Sequence, residues 1–139
     1  IFKGADVEAK GGYNDETPLF SAGSKKAFEL LIAKGADINA KSSEGYTPLH
    51  SAVMNVKDEV VELLIKKGAK IEAKDCFGRT PLFYARNTRI CESLIANGAD
   101  VKVISNGGYT PLDWAVINKR HEIAKLLAKQ CSHMRLQNS

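Results

Sequence analysis

His50 stands beside Ser51, a pairing of residue types that could act as base and nucleophile. His121, Cys131 and His133 are of the types that bind zinc. The spacing defeats both readings. Sequence neighbours on a helix do not face one another, so His50 has no approach to Ser51. The three zinc-type residues fit no zinc-ligand spacing and lack the fourth ligand of a tetrahedral site. Gly11-Gly12 and Gly107-Gly108 sit in turns, not in a strand-to-helix loop that cradles phosphate. Glu59 and Glu62 fall on the outer side of a helical pattern. No catalytic residue, metal ligand or cofactor is expected, and this segment is not read as an enzyme. What the chain does offer is contact chemistry. It places tyrosine, phenylalanine and arginine at turns, the residue types that concentrate binding energy at interfaces.

The elements that must hold those turns repeat along the chain. Thr17-Pro18-Leu19-Phe20-Ser21-Ala22 is followed by Thr47-Pro48-Leu49-His50-Ser51-Ala52, Thr80-Pro81-Leu82-Phe83-Tyr84-Ala85 and Thr110-Pro111-Leu112-Asp113-Trp114-Ala115. The threonines stand at 17, 47, 80 and 110, and all 4 prolines of the chain follow them. Proline has no N–H to lose and a pre-set φ, so it suits the first turn of a helix. The threonine before it can cap that helix through its hydroxyl. Each copy therefore predicts the start of a short helix. A second marker alternates with the first: Lys3-Gly4-Ala5-Asp6, Lys34-Gly35-Ala36-Asp37, Lys67-Gly68-Ala69-Lys70 and Asn97-Gly98-Ala99-Asp100. Each of the last three follows an apolar run of helical period, such as Val60-Val61-Glu62-Leu63-Leu64-Ile65. The glycine predicts a left-handed helix end.

A period near 33 that carries Thr-Pro-Leu-His and Gly-Ala-Asp resembles ankyrin repeats, over nearly the whole chain. The resemblance implies an all-α solenoid with short β-hairpin fingers, in four repeats plus the end of a preceding one. The boundaries expected are 1–10 for the end of a preceding repeat, then repeats at 11–41, 42–74, 75–104 and 105–130, with a C-terminal tail at 131–139. Fingers are expected at 11–16, 42–46, 75–79 and 105–109, the first carrying one extra residue. Thr47 to Gly68 spans 21 residues, as does Thr110 to Cys131, but Thr17 to Gly35 and Thr80 to Gly98 span 18. Repeats one and three are thus shortened by three residues, near Gly23-Ser24 and Arg86-Asn87, about one helical turn. Both short repeats have phenylalanine, Phe20 and Phe83, where the others have His50 and Asp113. The larger ring is expected to fill the volume of the missing turn, because interiors are close-packed.

The resemblance also implies a function: binding another protein through a concave face of finger tips and first helices. Carried over position by position, the partner-binding residues are Tyr13, Asn14 and Glu16, then Ser43, Glu44 and Tyr46 in the first two fingers. Cys76, Phe77 and Arg79, then Asn106 and Tyr109, follow in the next two. Met54 and Asn55, Arg86, and Ile117 and Asn118 come from the first helices. Tyr46, Arg79 and Tyr109 are expected to form a ladder, and Trp114 to pack between helices with its N–H bonded. Asn39, eight residues after Leu31, resembles the asparagine that a hydroxylase modifies in some ankyrin arrays. The alternative is a structural spacer, or the targeting region of a larger effector or enzyme whose activity lies outside this segment.

Composition narrows the setting. Hydrophobic content of 44% and charged content of 26% are those of a globular domain. The net charge of +4 comes largely from lysines at helix ends (Lys3, Lys34, Lys66, Lys67, Lys129), where they meet the helix dipole. Nucleic acid is therefore not the expected partner, and no apolar run is long enough for a membrane span. Cys76, Cys91 and Cys131 are odd in number and irregular in spacing. They form no disulfide framework and favour a reducing intracellular setting, cytoplasmic or nuclear, with delivery into a host cell as an effector left open. A monomer is expected. Ile1-Phe2 reads as the exposed end of an array begun mid-repeat, whereas Lys119, Arg120, His121, Lys125 and Lys129 read as a polar end, with Ser132–Ser139 frayed.

Overall fold

The computed structural model describes residues 24–137, with side chains to residue 132. Residues 1–10, the finger at 11–16 and the first helix of repeat one, with Phe20, lie outside them. The elements in order are α1 (Lys25–Ala33), α2 (Pro48–Met54), α3 (Asp58–Lys66), a 3-10 turn (Pro81–Tyr84), α4 (Thr88–Ala96), α5 (Pro111–Ile117) and α6 (His121–Gln137). They stack in two layers. The 3-10 turn packs between α2 and α5, and α1, α3, α4 and α6 pack in succession behind them. The core runs unbroken between the layers, from Phe28 through Leu49, Leu64, Leu82 and Leu94 to Leu127.

The caps form as their residue types require. Thr47 and Thr110 accept from the N–H groups of His50 and Asp113, and those side chains reach back to the threonine N–H. Each pair satisfies two donors that a helix start leaves open. The second helices end at glycine. Gly35 (φ 93°), Gly68 (φ 95°) and Gly98 (φ 97°) are left-handed, and the alanine after each donates back to Leu31, Leu64 and Leu94 carbonyls at 2.9–3.0 Å. Asn39 links one repeat to the next, since its Oδ1 accepts from Lys70 N at 2.9 Å. Glu72 does the same for Asp100 N at 3.0 Å.

Repeat three departs from this pattern. Its first helix is only the 4-residue 3-10 turn, against 7 residues in α2 and α5. Phe83 cannot reach back to Thr80 N, so no capping box closes, and Thr80 Oγ1 is buried without a partner. Phe83 is fully buried, in keeping with a ring that replaces missing volume. The long repeats leave their first helices through Val56 (φ 56°) and Lys119 (φ 58°), both left-handed. The shortened repeat dispenses with that residue and enters α4 directly from Asn87, whose Oδ1 accepts from Ile90 N at 2.8 Å.

Some expectations change with the structure. Among the described residues no strand forms, and the fingers close as turns. The last helix does not fray at Ser132 but continues to Gln137, there being no glycine at Cys131 to end it. The end of repeat four is also less polar than expected: Val116 is 61% exposed where its counterpart Val53 is 0%. Arg120 is not an outward-facing residue of that end but turns back toward repeat three.

Candidate functional site

Each described finger is built on one buried acceptor. Ser42, Asp75 and Ser105 occupy equivalent places, each buried. The N–H of each donates to the carbonyl four residues on, at 2.8–3.0 Å, while the glycine three residues on donates back to it at 2.9 Å. Serine Oγ then accepts from Tyr46 N and Tyr109 N, at 3.2 and 3.3 Å. Asp75 Oδ1 does more, accepting from Phe77 N at 2.9 Å and Arg79 N at 3.0 Å, while Oδ2 accepts from the Tyr84 hydroxyl. Adjacent fingers are joined by Cys76 N donating to Glu44 O at 2.8 Å and Asn106 N donating to Phe77 O at 2.9 Å. Glycine is required at Gly78, where φ is 74° and a Cβ would come within 2.9 Å of Asn106 N.

Side chains from fingers and first helices meet in two groups. In the first, the Tyr46, His50 and Tyr84 rings pack edge-on with centroids 5.9–6.1 Å apart. His50 Nε2 donates to Arg79 O at 2.9 Å, and Nδ1 accepts from Thr47 N at 3.2 Å. Both ring nitrogens are thus engaged, and burial holds the imidazole below its ordinary value of 6.5. No base is left for Ser51. Burial, helped by the hydrogen bond to Asp75, pushes the Tyr84 phenol up and keeps it neutral.

In the second group the Arg79 guanidinium lies 3.9 Å over Trp114 and 4.8 Å over Phe77, and Tyr109 packs against Trp114 at 6.2 Å. Trp114 is half-buried, packing against the core and also against finger residues. Ile117 lies one turn further along the same helix. Phe77 is 43% exposed, Tyr109 41% and Ile117 52%.

The sequence-derived positions divide accordingly. Tyr13, Asn14 and Glu16 lie outside the described residues. Ser43, Asn55, Cys76, Phe77, Arg86, Asn106, Tyr109, Ile117 and Asn118 are exposed, while Glu44, Tyr46, Met54 and Arg79 are half-buried. Tyr46, Arg79 and Tyr109 are linked through first-helix residues, Tyr84 between the first two and Trp114 between the last two. Tyr46 turns into the His50–Tyr84 group, and Arg79 and Tyr109 meet at Trp114. Sequence reasoning missed the buried Asp75–Tyr84 pair. The signal was present as an aspartate where the neighbouring fingers have serine, together with a tyrosine where they have Ser51 and Trp114. Cys91 is buried with its thiol pushed up to about 12 by burial, an inert core residue as its register implied. A shallow groove of about 590 Å³ lies elsewhere, between α1 and α3, with Leu30 and Leu63 in it and Lys26, Lys66 and Lys67 around it. Among the described residues, no helix is long and apolar enough to cross a membrane.

Comparison with known proteins places these features in context. Residues 1–75 and 71–138 match the family described as ankyrin repeats in 3 copies. A protein of Rickettsia bellii (strain RML369-C), named as an ankyrin repeat protein, is 46% identical over 50 residues, 34% of this chain and 29% of the relative. The chain therefore spans under a third of the length of that curated relative.

Proposed function

Because this chain belongs to the ankyrin repeat family, whose repeats are generally protein-interaction modules, we propose that it binds a partner protein through its fingers and first helices. The observation that supports this face is the exposed set Phe77, Tyr109 and Ile117 around the Arg79–Trp114 stack. Exposed rings held in place by packing are the type of group that carries most of an interface's energy. The finger-to-finger hydrogen bonds support rigid presentation, in which little ordering entropy is lost on docking. The 16 positions carried over from the family define the wider surface. Within it Phe77, Tyr109 and Ile117 are the anchors, and Tyr46 and Met54 are supports.

A quantitative pull-down compares the chain with a Phe77→Ala, Tyr109→Ala variant after equal helical content is verified. Proteins retained by the parent and lost by the variant are the expected result. Identical retention would sink this reading in favour of a spacer within a larger protein. The second reading has its own motive, since the matched relative is much longer than the aligned segment.

A further inference from the structure

The geometry points to an acidic segment of the partner as the occupant of this surface, with a carboxylate on the Arg79 guanidinium and apolar side chains on Phe77, Tyr109 and Ile117. This rests on the reading above and adds the partner's chemistry. Arg79 is a half-buried cation, and its Nε is buried without an acceptor. Among the described residues the ion pairs belong to Arg89, with Asp58 and Glu62, and no carboxylate pairs with Arg79. Asp75, on the same finger, is occupied by two backbone N–H groups and the Tyr84 hydroxyl. The Arg79 side chain reaches the Tyr84 hydroxyl, so Asp75 meets its charge only through that hydroxyl, and a carboxylate brought by a ligand would pair with the guanidinium directly.

The stack prepares the site. Trp114 and Phe77 hold the guanidinium plane, and a planar fork held in place suits two-point recognition of a carboxylate. A second cation, Arg86, follows the far end of the 3-10 turn. Arg86 is exposed, and it lies close enough to Arg120 for its charge to help lower that guanidinium's pKa. Arg120 itself is committed to backbone carbonyls of Phe83 and Ala85, so Arg86 is the exposed member of this pair. Three exposed apolar side chains around the stacked Arg79 select acidic residues interspersed with aromatic or aliphatic ones. A nucleic acid fits less well. Arg79 already covers Trp114, and Lys66 and Lys67 border the groove between α1 and α3 instead of extending this patch.

The test is selection of random displayed peptides on the full chain, followed by affinity measurement of the enriched peptides. Enriched peptides are expected to carry Asp or Glu next to an aromatic or aliphatic residue. Their affinity should weaken about tenfold or more on Arg79→Gln, and similarly when their carboxylates become amides. Arg79→Gln keeps the backbone carbonyl that His50 uses, and Arg86→Gln, at an exposed position, gives an independent variant with a smaller loss in the same direction. Neutral or basic winners, no enrichment, equal binding by both glutamine variants, or tighter binding of an oligothymidylate would each overturn the proposal. Neutral peptides lost on Phe77→Ala, Tyr109→Ala would overturn the acidic occupant but leave the binding face standing. Peptides of any charge that ignore that double variant would remove the face itself.

Discussion

Arg120 Nη1 donates to the carbonyl of Phe83 at 3.3 Å, across a separation of 37 residues. The same nitrogen lies 3.4 Å from the carbonyl of Ala85. In a full-length first helix, carbonyls at this point would accept from the next turn of the same helix. Repeat three has no such turn, and a guanidinium from repeat four stands in for it. Burial, more than the nearby Arg86, lowers the pKa of Arg120, although the group remains charged.

Arg120→Ala should therefore destabilise the array by about 1–2 kcal/mol, through two carbonyls left without a donor. Lys125→Ala, at an exposed position of α6, should change stability by under about 0.5 kcal/mol. Urea midpoints of the two variants and the parent give the comparison, and equal effects would remove the bridging role of Arg120.

The threonines of the repeated motif should respond unequally. Thr47 closes a capping box with His50, so Thr47→Val should cost about 1 kcal/mol. Thr80 Oγ1 is buried with nothing to bond, and the Phe83 N–H donates to the Thr80 carbonyl at 3.1 Å instead. Thr80→Val should be neutral within about 0.5 kcal/mol, or stabilising, since it removes an unsatisfied polar atom. Equal losses in thermal or urea unfolding would contradict this account of the short repeat.

Acid should weaken the array through His50. Its ring is faced by Tyr46 and Tyr84 and feels the charges of Asp75 and Lys41, with burial the largest influence and a lowering one. The unfolded chain takes up this proton near 6.5, the folded chain only at lower pH. The His50 contribution is thus fully present above that value and is lost as pH falls toward the folded pKa, by at most about 1.4 kcal/mol per pH unit. Unfolding at about pH 7.5 and about pH 5 should show a shallower decline in His50→Gln than in the parent. An unchanged decline would assign the acid sensitivity to other groups.

Val56 holds a φ of 56°, a conformation that suits glycine and strains a β-branched residue. It closes the end of α2, with Lys57 N donating to Ala52 O at 3.0 Å. Val56 is 43% exposed, so truncation sacrifices little packing. Val56→Gly should raise stability by about 0.5–1 kcal/mol, strain relief outweighing the entropy of glycine. A fall in the unfolding midpoint would show that the Val56 contacts matter more than its backbone strain.

Most of the scaffold was legible because its signals are local. Thr-Pro at a helix start, glycine at a helix end and the register that buries Cys91 each act within a few residues. The shortening near Arg86-Asn87 was legible as a count, since a missing turn changes the spacing of fixed markers. The site was less so. Tyr46 and Arg79 hold equivalent places in their fingers, and symmetry suggested one ladder. Their neighbours differ, however: Tyr46 packs against Tyr84 and His50, whereas Arg79 lies on Trp114 and only reaches back to the Tyr84 hydroxyl. The contact a finger residue makes depends on the first helix of the following repeat, which periodicity treats as interchangeable.

The sequence by itself determined the ankyrin pattern, the places where helices start and stop, and the residues able to make contacts. Those features follow from φ preferences, capping hydroxyls and apolar spacing, all of short range. The tertiary structure alone decided that Arg120 serves repeat three, that Asp75 binds Tyr84, and that Arg79 lies on Trp114. Each of these joins residues brought together by a turn or by stacking, and one shortened helix changed which groups came within reach. Hydrogen bonds and stacked charges act over a few ångströms, so their partners were settled only once the repeats had packed.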